Sequence, residues 1–295
     1  MADAPAQNTY RVTDRLESGG MAEVFRGEST GLAGFKRQVA IKRVLPHLAS
    51  NEKFIRMFLD EARLSARLTH ANIVQVFDIG HVENSYFIVM EFIDGVTLKS
   101  IVEYLRGRKQ SFPVPLACHV TMKVCEGLAY AHEATDSDGK LLGIVHRDIS
   151  PPNILISKKG EVKIVDFGLA KAAHSVEKTD PGVVKGKFSY LAPETASGEP
   201  AGPPADIFAA GIMLWEMLAG RKLFQGDTDY QTVKQVQQAV VPSIRSINPA
   251  VPEELDKILR RSLARSISER YQNAQEMSEE LTEFLLLHRL RATPY

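Results

Sequence analysis

The segment HRDISPPN (146–153) concentrates charged and amide side chains between two apolar runs, Gly143–Val145 and Ile154–Ile156, a pattern that predicts strand, loop and strand. About ten residues later, a third apolar run ends at Asp166. An aspartate at a strand end is well placed to share a metal ion with Asn153 of the preceding loop. Mg²⁺ takes only one or two carboxylates from a protein and completes its shell with water and phosphate. For any one of these residues, the alternative interpretation is a solvated turn.

Two further charged residues lie on apolar faces. Lys42 ends the strand-like run VAIK (39–42), where an unpaired ammonium group would be costly. Glu61 lies seven residues after Phe54, on the apolar stripe of a predicted helix. Opposite charges on the inward faces of adjacent elements indicate an ion pair. The alternatives are a lysine whose stem extends to water from an edge strand, and an ion pair that is purely structural.

The predicted secondary structure divides the chain into a β-rich first part and a helical second part. Up to residue 92, strand-like runs surround one predicted helix at 51–69; the runs are 10–18, 22–27, 38–44, 73–79 and 86–92. After Asp94-Gly95 the pattern is mostly helical, with helices at 115–134, 204–219 and 274–289 and short strands at 154–156 and 162–165. The sequence therefore predicts a small β-rich lobe and a larger helical lobe, joined near residues 91–95.

The composition of the 295-residue chain is that of a globular protein, with 44% hydrophobic and 24% charged residues. The 36 Lys and Arg residues balance 36 Asp and Glu residues, which argues against binding of nucleic acid or anionic membrane by bulk charge. The longest apolar run, 207–215, is too short to span a bilayer, and the N-terminus does not resemble a secretory signal. Cys118 and Cys125 lie about 10 Å apart along a predicted helix, too far for a disulfide. We expect a reduced, soluble, cytoplasmic protein.

Four motifs occur in the order typical of protein kinases: VAIK (39–42), HRDISPPN (146–153), DFG (166–168) and APE (192–194). Over about residues 10–285 the chain resembles the bacterial eukaryotic-like Ser/Thr protein kinases. The resemblance implies one catalytic domain spanning 1–295, with a bilobal α+β fold and an ATP cleft between the lobes. The implied parts are an N-lobe at 10–91 with one main helix, a hinge at 92–95, a mainly helical C-lobe at 96–285 and a tail at 286–295.

The resemblance also implies a role for each polar residue. Lys42 would bind the α- and β-phosphates of ATP and would pair with Glu61. Mg²⁺ would be held by Asp166 and Asn153. Asp148 would accept the proton of the substrate hydroxyl. Met90 would be the gatekeeper. The implied nucleotide-binding residues are Leu16, Gly19, Gly20, Val24, Ala40, Lys42, Met90, Glu91, Ile93 and Leu155.

Three scaffold roles are also expected. Glu194 and Arg270 are expected to form a structural ion pair. Asp206 is expected to hold the catalytic loop from the long apolar helix, and His146 is expected to pack beneath Phe167.

The glycine loop departs from the family pattern G-x-G-x-x-G-x-V. Glu17 and Ala22 replace the first and third glycines, whereas Gly19 keeps the second and Gly20 follows it. Glycine at these positions lets the backbone approach a phosphate closely. We expect ATP binding to be retained but weaker.

A second departure concerns two neighbouring loops. The lysine usually found two residues after the catalytic aspartate is Ser150, and the usual Gly-Thr before APE is Gly186-Lys187. We hypothesise that Lys187 supplies the missing charge to the γ-phosphate; the alternative is a solvated loop lysine. The position before Asn153, often acidic in kinases that prefer basic substrates, is Pro152, which argues mildly against one route to a basic consensus.

The expected function is transfer of the γ-phosphoryl group of MgATP to protein Ser or Thr hydroxyls, with autophosphorylation, in bacterial signalling. The rival interpretations are a pseudokinase or ATP-binding scaffold, favoured by the altered loops, and a small-molecule phosphotransferase, disfavoured by the intact APE motif. Arg147 is expected to dock an activation-loop phosphate, on Thr179 in preference to Ser175 or Ser189.

The expected partners are a protein substrate and, for trans-autophosphorylation, a second copy of the chain. Nucleic acid and membrane contacts are not expected within this chain. A second possibility for its location is the cytosolic part of a longer membrane-anchored protein.

Overall fold

The computed structural model describes residues 9–31, 34–83, 85–167 and 187–290, without the side chains of Glu61 and Lys187. The described chain forms two compact units. The first contains residues up to Asp94 except His70–Ile73, and the second contains that short segment and the residues from Gly95 onward.

The first unit is built on a five-stranded antiparallel sheet with the strand order β1-β2-β3-β5-β4. Its strands are β1 (Thr9–Ser18), β2 (Ala22–Thr30), β3 (Lys36–Val44), β4 (Val76–Val82) and β5 (Ser85–Glu91). Two helices follow β3, the short α1 (Pro46–Ala49) and the longer α2 (Glu52–Ser65). The α2 helix begins at Asn51, whose side-chain oxygen accepts a hydrogen bond from the backbone N–H of Phe54 at 3.0 Å and so caps a free donor.

The two faces of this sheet carry different kinds of residues. Val39, Ile41 and Val89 are buried on one face and form a core with Tyr10, Phe77 and Phe87. Strand alternation directs Ala40 and Lys42 to the opposite face. The two faces therefore separate packing residues from the residues predicted to bind nucleotide.

The second unit combines a small sheet with a larger set of helices. Its antiparallel sheet runs β6 (Gly95–Thr97), β7 (Ile154–Ser157) and β8 (Val162–Ile164). The helices are α3 (Leu98–Gly107), α4 (Val114–His132), α5 (Pro193–Ala196), α6 (Pro203–Ala219), α7 (Asp229–Gln238), α8 (Glu253–Ser262) and α9 (Ala274–Leu287). Short 3₁₀ turns lie at Pro151–Asn153, Lys187–Tyr190, Ile244–Ser246 and Ile267–Glu269. In the described chain, no helix has both the length and the apolar character needed to cross a membrane.

The core of the second unit centres on α4 and α6. The α6 helix is buried on nearly every side, as expected of a helix that is apolar all round. The α4 helix packs against α6, α9 and β8. A side chain at Gly127 of α4 would lie 2.9 Å from Cδ1 of Ile164, so glycine permits the close approach of α4 to β8. Cys118 and Cys125 are fully buried on α4 without a disulfide, as predicted, and burial raises the pKa of each thiol to about 12.

Three of the sequence-based boundaries are wrong. Gly143–Val145 does not form a strand, because Ile144 and Val145 are buried in the core as irregular backbone rather than paired with a neighbouring strand. The run predicted at 73–79 becomes a strand only at Val76, and Ile73 instead bridges Ile164 of β8. The helix predicted at 51–69 ends at Ser65, since tighter turns then carry the buried Leu68 back into the core.

Candidate active site

The segment predicted as the catalytic loop is held by a carboxylate from the long apolar helix, as expected. Asp206 of α6 accepts a hydrogen bond from the backbone N–H of His146 and another from that of Arg147, both at 2.8 Å. Its Oδ2 also lies 2.8 Å from Nε2 of His132, the residue that ends α4. Burial opposes ionisation of Asp206, but the hydrogen bond and charge of His132 and the hydrogen bond from the backbone of His146 outweigh burial and lower its pKa. The loop is therefore fixed to two helices by an ionised, fully buried group.

His146 is a structural residue with an assignable tautomer. Its Nδ1 accepts the backbone N–H of Asp148 at 3.2 Å, so the proton must lie on Nε2, which donates to the carbonyl of Val165 at 2.9 Å. The ring meets that of Phe167 edge to face, with centroids 4.7 Å apart. The predicted packing of His146 against Phe167 is confirmed, and this side chain links the catalytic loop to the strand end that carries Asp166.

Two residues of the site adopt left-handed backbone conformations. Arg147 has a φ angle of 68° and Asp166 has a φ angle of 62°, values that residues other than glycine rarely adopt. Such conformations persist only where the surroundings enforce them. For Arg147, the enforcing contact is the hydrogen bond from its N–H to Asp206.

Asp148 and Asn153 are brought together by the 3₁₀ turn Pro151–Asn153. The Nδ2 group of Asn153 donates to the backbone carbonyl of Asp148 at 2.7 Å and to its carboxylate Oδ2 at 3.1 Å. The backbone carbonyl of Asn153 accepts the N–H of Val165 at 3.0 Å, which ties this loop to the residue before Asp166. Asp148 and Asp166 are each half-buried and reachable by a ligand.

This donor set fits Mg²⁺. With Nδ2 of Asn153 committed to Asp148, the amide presents its Oδ1, and Asp166 presents a carboxylate. Both are the hard oxygen donors that Mg²⁺ prefers, with phosphate and water completing its shell. Among the described residues, no cluster of three or more His, Cys, Asp or Glu side chains could hold a metal by itself, and Mg²⁺ does not require one.

In the first unit, the predicted nucleotide-binding side chains share a face of the sheet. Val24 lies opposite Lys42 in the β2–β3 register, and Ala40 lies opposite Met90 in the β3–β5 register, so all four point the same way. Lys42 is 9% exposed. The N–H of Glu91, the last residue of β5, donates to the carbonyl of Gln75 at 2.8 Å.

The altered glycine loop forms the turn between β1 and β2. Leu16 is exposed on β1, and the N–H of Gly19 donates to the carbonyl of Ala22 at 3.0 Å. Neither Gly19 nor Gly20 has a positive φ, and a side chain at Gly19 would meet Ala22 at an ordinary 3.5 Å. The conformation of the turn at Gly19 thus does not require glycine.

Several predicted residues fall outside the described part of the chain. They are the side chains of Glu61 and Lys187, Gly168 of the DFG motif, and the candidate phosphorylation sites Ser175 and Thr179. The third candidate, Ser189, is 3% exposed. Leu155 lies on β7 in the second unit and is half-buried, and Ser150 is buried with its hydroxyl 3.4 Å from the carbonyl of Asp148.

The predicted ion pair between Glu194 and Arg270 is confirmed. The two η nitrogens of Arg270 donate to the two carboxylate oxygens of Glu194 at 2.8 and 2.6 Å, a bidentate geometry. The guanidinium group is completely buried and also donates to the carbonyls of Ala264, Pro204 and Arg265. The APE segment is therefore fixed to the loop before α9.

Sequence reasoning missed two groups beside the catalytic loop. One is His132, whose contact with Asp206 spans 74 residues. The other is a cluster of Tyr190, Glu216 and Lys222 close to Asp148. A signal was available for Glu216, because it is an acid inside the most apolar helix of the chain.

Comparison with known proteins agrees with this geometry. Residues 10–286 match the family described as the protein kinase domain. The chain is 41% identical over 280 residues to the tyrosine-protein kinase MasK of Myxococcus xanthus, covering 95% of this chain and 43% of MasK. It is 36% identical over 272 residues to the serine/threonine-protein kinase PrkC of Bacillus subtilis, covering 92% of this chain and 40% of PrkC. The chain thus spans less than half the length of these two relatives.

The fold has a solved counterpart. The crystal structure of the Mycobacterium tuberculosis PknI kinase domain aligns with a TM-score of 0.68 at 24% identity, over 93% of this chain and 95% of that one. The predicted α+β fold, with a β-rich unit containing one main helix and a helical unit, is confirmed. With the family match over almost its entire length, this chain belongs to the protein kinase family.

Proposed function

We propose that this chain transfers the γ-phosphoryl group of MgATP to the hydroxyl of a Ser or Thr residue in a protein. The observation that carries the proposal is the placement of Asp148, whose carboxylate is half-buried and oriented by Asn153 at 3.1 Å. Phosphoryl transfer needs a group that orients the acceptor hydroxyl and takes its proton, and a fixed acid at the end of an anchored loop meets that need.

The proposed reaction assigns a separate task to each residue. Asp148 accepts the proton of the acceptor hydroxyl as its oxygen bonds to the γ-phosphorus. The bond from that phosphorus to the β–γ bridging oxygen breaks, and ADP leaves with its electron pair. Asp166 and Asn153 would hold Mg²⁺, which when bound neutralises charge on the phosphates. Lys42, paired with Glu61, and Lys187 are proposed to bind the phosphates.

Adenine binding is assigned to apolar residues and to the hinge backbone. Val24, Ala40 and Leu155 would cover the base, with Met90 as the gatekeeper and the backbone from Glu91 to Ile93 as its hydrogen-bonding edge. Leu16, Gly19 and Gly20 would cover the phosphates. The shared sheet face of Val24, Ala40, Lys42 and Met90 supports this assignment.

The acceptor amino acid is the part of the proposal that the relatives leave open. PrkC is named a serine/threonine-protein kinase, whereas MasK is named a tyrosine-protein kinase. We propose Ser and Thr as acceptors. Phosphoamino acid analysis of the autophosphorylated chain and of a phosphorylated generic protein distinguishes these cases, and phosphotyrosine alone would contradict the proposal.

The test of activity is transfer from radiolabelled ATP to a generic protein in the presence of Mg²⁺. Asp148→Asn should lower kcat by at least about 10², because the hydroxyl loses its proton acceptor. The matched control is Asp138→Asn, the same chemical change in an exposed turn, which should match the wild type. Equal incorporation by Asp148→Asn and the wild type would remove Asp148 from the mechanism, and no transfer by the wild type would favour the pseudokinase alternative.

The wider context is also a proposal. We place one catalytic domain over the chain, with an N-lobe at 10–91, a hinge at 92–95, a C-lobe at 96–285 and a tail at 286–295. Because the reaction consumes ATP, we propose a cytoplasmic location, either free or as part of a longer membrane-anchored protein. A protein substrate and a second copy of the chain, acting in trans-autophosphorylation, are the proposed partners.

A further inference from the structure

A cavity of about 350 Å³ lies beside Asp148 within the second unit. Asp148 and the following turn line it together with residues of α3, Tyr190, Glu216 of α6 and Lys222. In the proposed reaction, the polypeptide that carries the acceptor hydroxyl enters this space. The charged residues that share the cavity with Asp148 then determine which polypeptide fits.

The carboxylate of Glu216 is a candidate to bind a basic side chain, but it is already occupied. Tyr190 donates its hydroxyl to Oε2 at 2.6 Å, and Lys222 lies 3.1 Å from the same oxygen. The backbone N–H of Leu223 donates to Oε1 at 3.1 Å. Three donors from the chain itself therefore satisfy both oxygens of this buried acid.

The cations of the cavity are less fully occupied. Lys222 also donates to Tyr190 at 2.6 Å, yet its side chain is 30% exposed, so the ammonium group retains access to the cavity. Arg106 donates through Nε to the carbonyl of Gly220 at 3.3 Å, and no carboxylate of the described chain lies within 4.0 Å of it. Lys99 approaches Glu103 only at 3.9 Å, with both side chains more than half exposed.

The remaining residues of the cavity do not change the charge available to a substrate. Pro151 and Pro152 contribute no charge, and Glu103 faces Lys99 across one turn of α3. Among the described residues that line the cavity, Arg106 is a charged group with no carboxylate within 4.0 Å. An incoming carboxylate can bind Arg106 and Lys222 with charge-assisted hydrogen bonds, whereas an incoming cation would have to displace Lys222 from Glu216.

We propose that this cavity selects protein substrates with an acidic side chain next to the acceptor hydroxyl. Arg106 and Lys222 bind that carboxylate, and Lys222 excludes a basic side chain by occupying Glu216. The inference rests on the proposed function and names the substrate class of the same site. Lys222 and Arg106 are specificity residues in this proposal and do not take part in the transfer itself.

The test compares three peptides of equal length with the same acceptor, flanked on both sides by Asp, Ala or Arg residues. For the wild type, kcat/KM for the acidic peptide should exceed that for the basic one by about fivefold, the upper end of the range for one partly exposed ion pair. Lys222→Met should abolish this preference and raise the rate for the basic peptide, because Glu216 becomes available. Arg106→Met should lower the rate for the acidic peptide without that gain.

The matched control is Lys257→Met, the same substitution at a lysine that is 70% exposed on α8, outside the cavity. It should keep the wild-type ratio. Thermal melting of each variant verifies folding, and Arg106→Met provides the test if Lys222→Met does not fold. Transfer to all three peptides at equal rates would overturn the inference and leave the proposed function standing. Transfer to none would refute the proposed function as well, and a wild-type preference for the basic peptide would overturn the inference alone.

Discussion

Oδ1 of Asp206 accepts the backbone N–H of Arg147 at 2.8 Å, at a residue whose φ of 68° is unfavourable for its side chain. A left-handed residue of this kind costs about 1–2 kcal/mol, whereas a hydrogen bond to a charged group contributes about 1.5–3 kcal/mol. The carboxylate therefore outweighs the strain, and a residue of the scaffold helix fixes the backbone immediately before Asp148.

Asp206→Asn should destabilise the protein and impair turnover. The backbone N–H groups of His146 and Arg147 now donate to the carboxylate oxygens. In the variant, the NH₂ group of the amide would face one of these donors in place of an oxygen. We expect the free energy of unfolding to fall by about 3 kcal/mol, the range for breaking a buried charged contact. We also expect kcat to fall tenfold or more as Asp148 loses its position. Urea denaturation and steady-state kinetics measure the two effects.

The control for this variant is Asp229→Asn in the exposed first turn of α7. It removes the same charge from a helix start, where the loss is less than about 1 kcal/mol. Equal stability of the two variants would contradict the role assigned to Asp206.

The pH dependence of stability should report the same carboxylate. Burial raises the pKa of Asp206, but the histidine contacts outweigh burial, so the folded-state pKa lies below the unfolded value of about 3.9. The unfolded chain then binds the proton more readily, and the contribution of Asp206 is present above about pH 4 and lost as the pH falls through the folded pKa. The difference in unfolding free energy between wild type and Asp206→Asn should shrink as the pH falls below about pH 4. A difference that stays constant to about pH 3 would contradict the lowered pKa.

The buried ion pair between Arg270 and Glu194 predicts a non-additive double-mutant cycle. Arg270→Met leaves a nearly buried carboxylate without its partner and should cost about 3–5 kcal/mol in unfolding free energy. Adding Glu194→Gln should recover part of that loss, because the uncompensated charge disappears. The carbonyls of Ala264 and Arg265 would still lack a donor, so recovery should be incomplete. Additive losses, measured by urea denaturation, would show that the two charges do not stabilise each other.

Lys187→Ala tests the hypothesis that this residue replaces the usual lysine at position 150. If Lys187 contacts the γ-phosphate, kcat should fall by about 10² or more, as for other lost transition-state contacts. Lys257→Ala, at an exposed site on α8, is the control for loss of one surface charge. Near wild-type turnover in Lys187→Ala would support the alternative of a solvated loop lysine.

The local pattern of the sequence predicted the elements well where one face is consistently buried. Runs of alternating apolar and polar residues predicted the strands that carry Val24 and Lys42, and the all-apolar stretch predicted α6. The pattern failed at Gly143–Val145, since an apolar run is equally compatible with a strand and with buried irregular backbone. The tertiary structure distinguishes the two, because Ile144 and Val145 are buried there without belonging to a strand.

The side chains proposed for phosphoryl transfer, and their order along the chain, could be predicted from the sequence, because motif spacing and charged residues in apolar runs are local properties. Which of the described residues meet depends on the tertiary fold. His132 and Asp206 are 74 residues apart and lie 2.8 Å from each other, and Tyr190, Glu216 and Lys222 converge from a turn, a helix and a loop. Such pairings depend on how helices pack and which direction each side chain then faces. Neither the composition nor the hydrophobic period of the sequence contains that geometry. A net charge of zero over the chain is therefore compatible with the proposal that Arg106 and Lys222 bind an acidic substrate side chain beside Asp148.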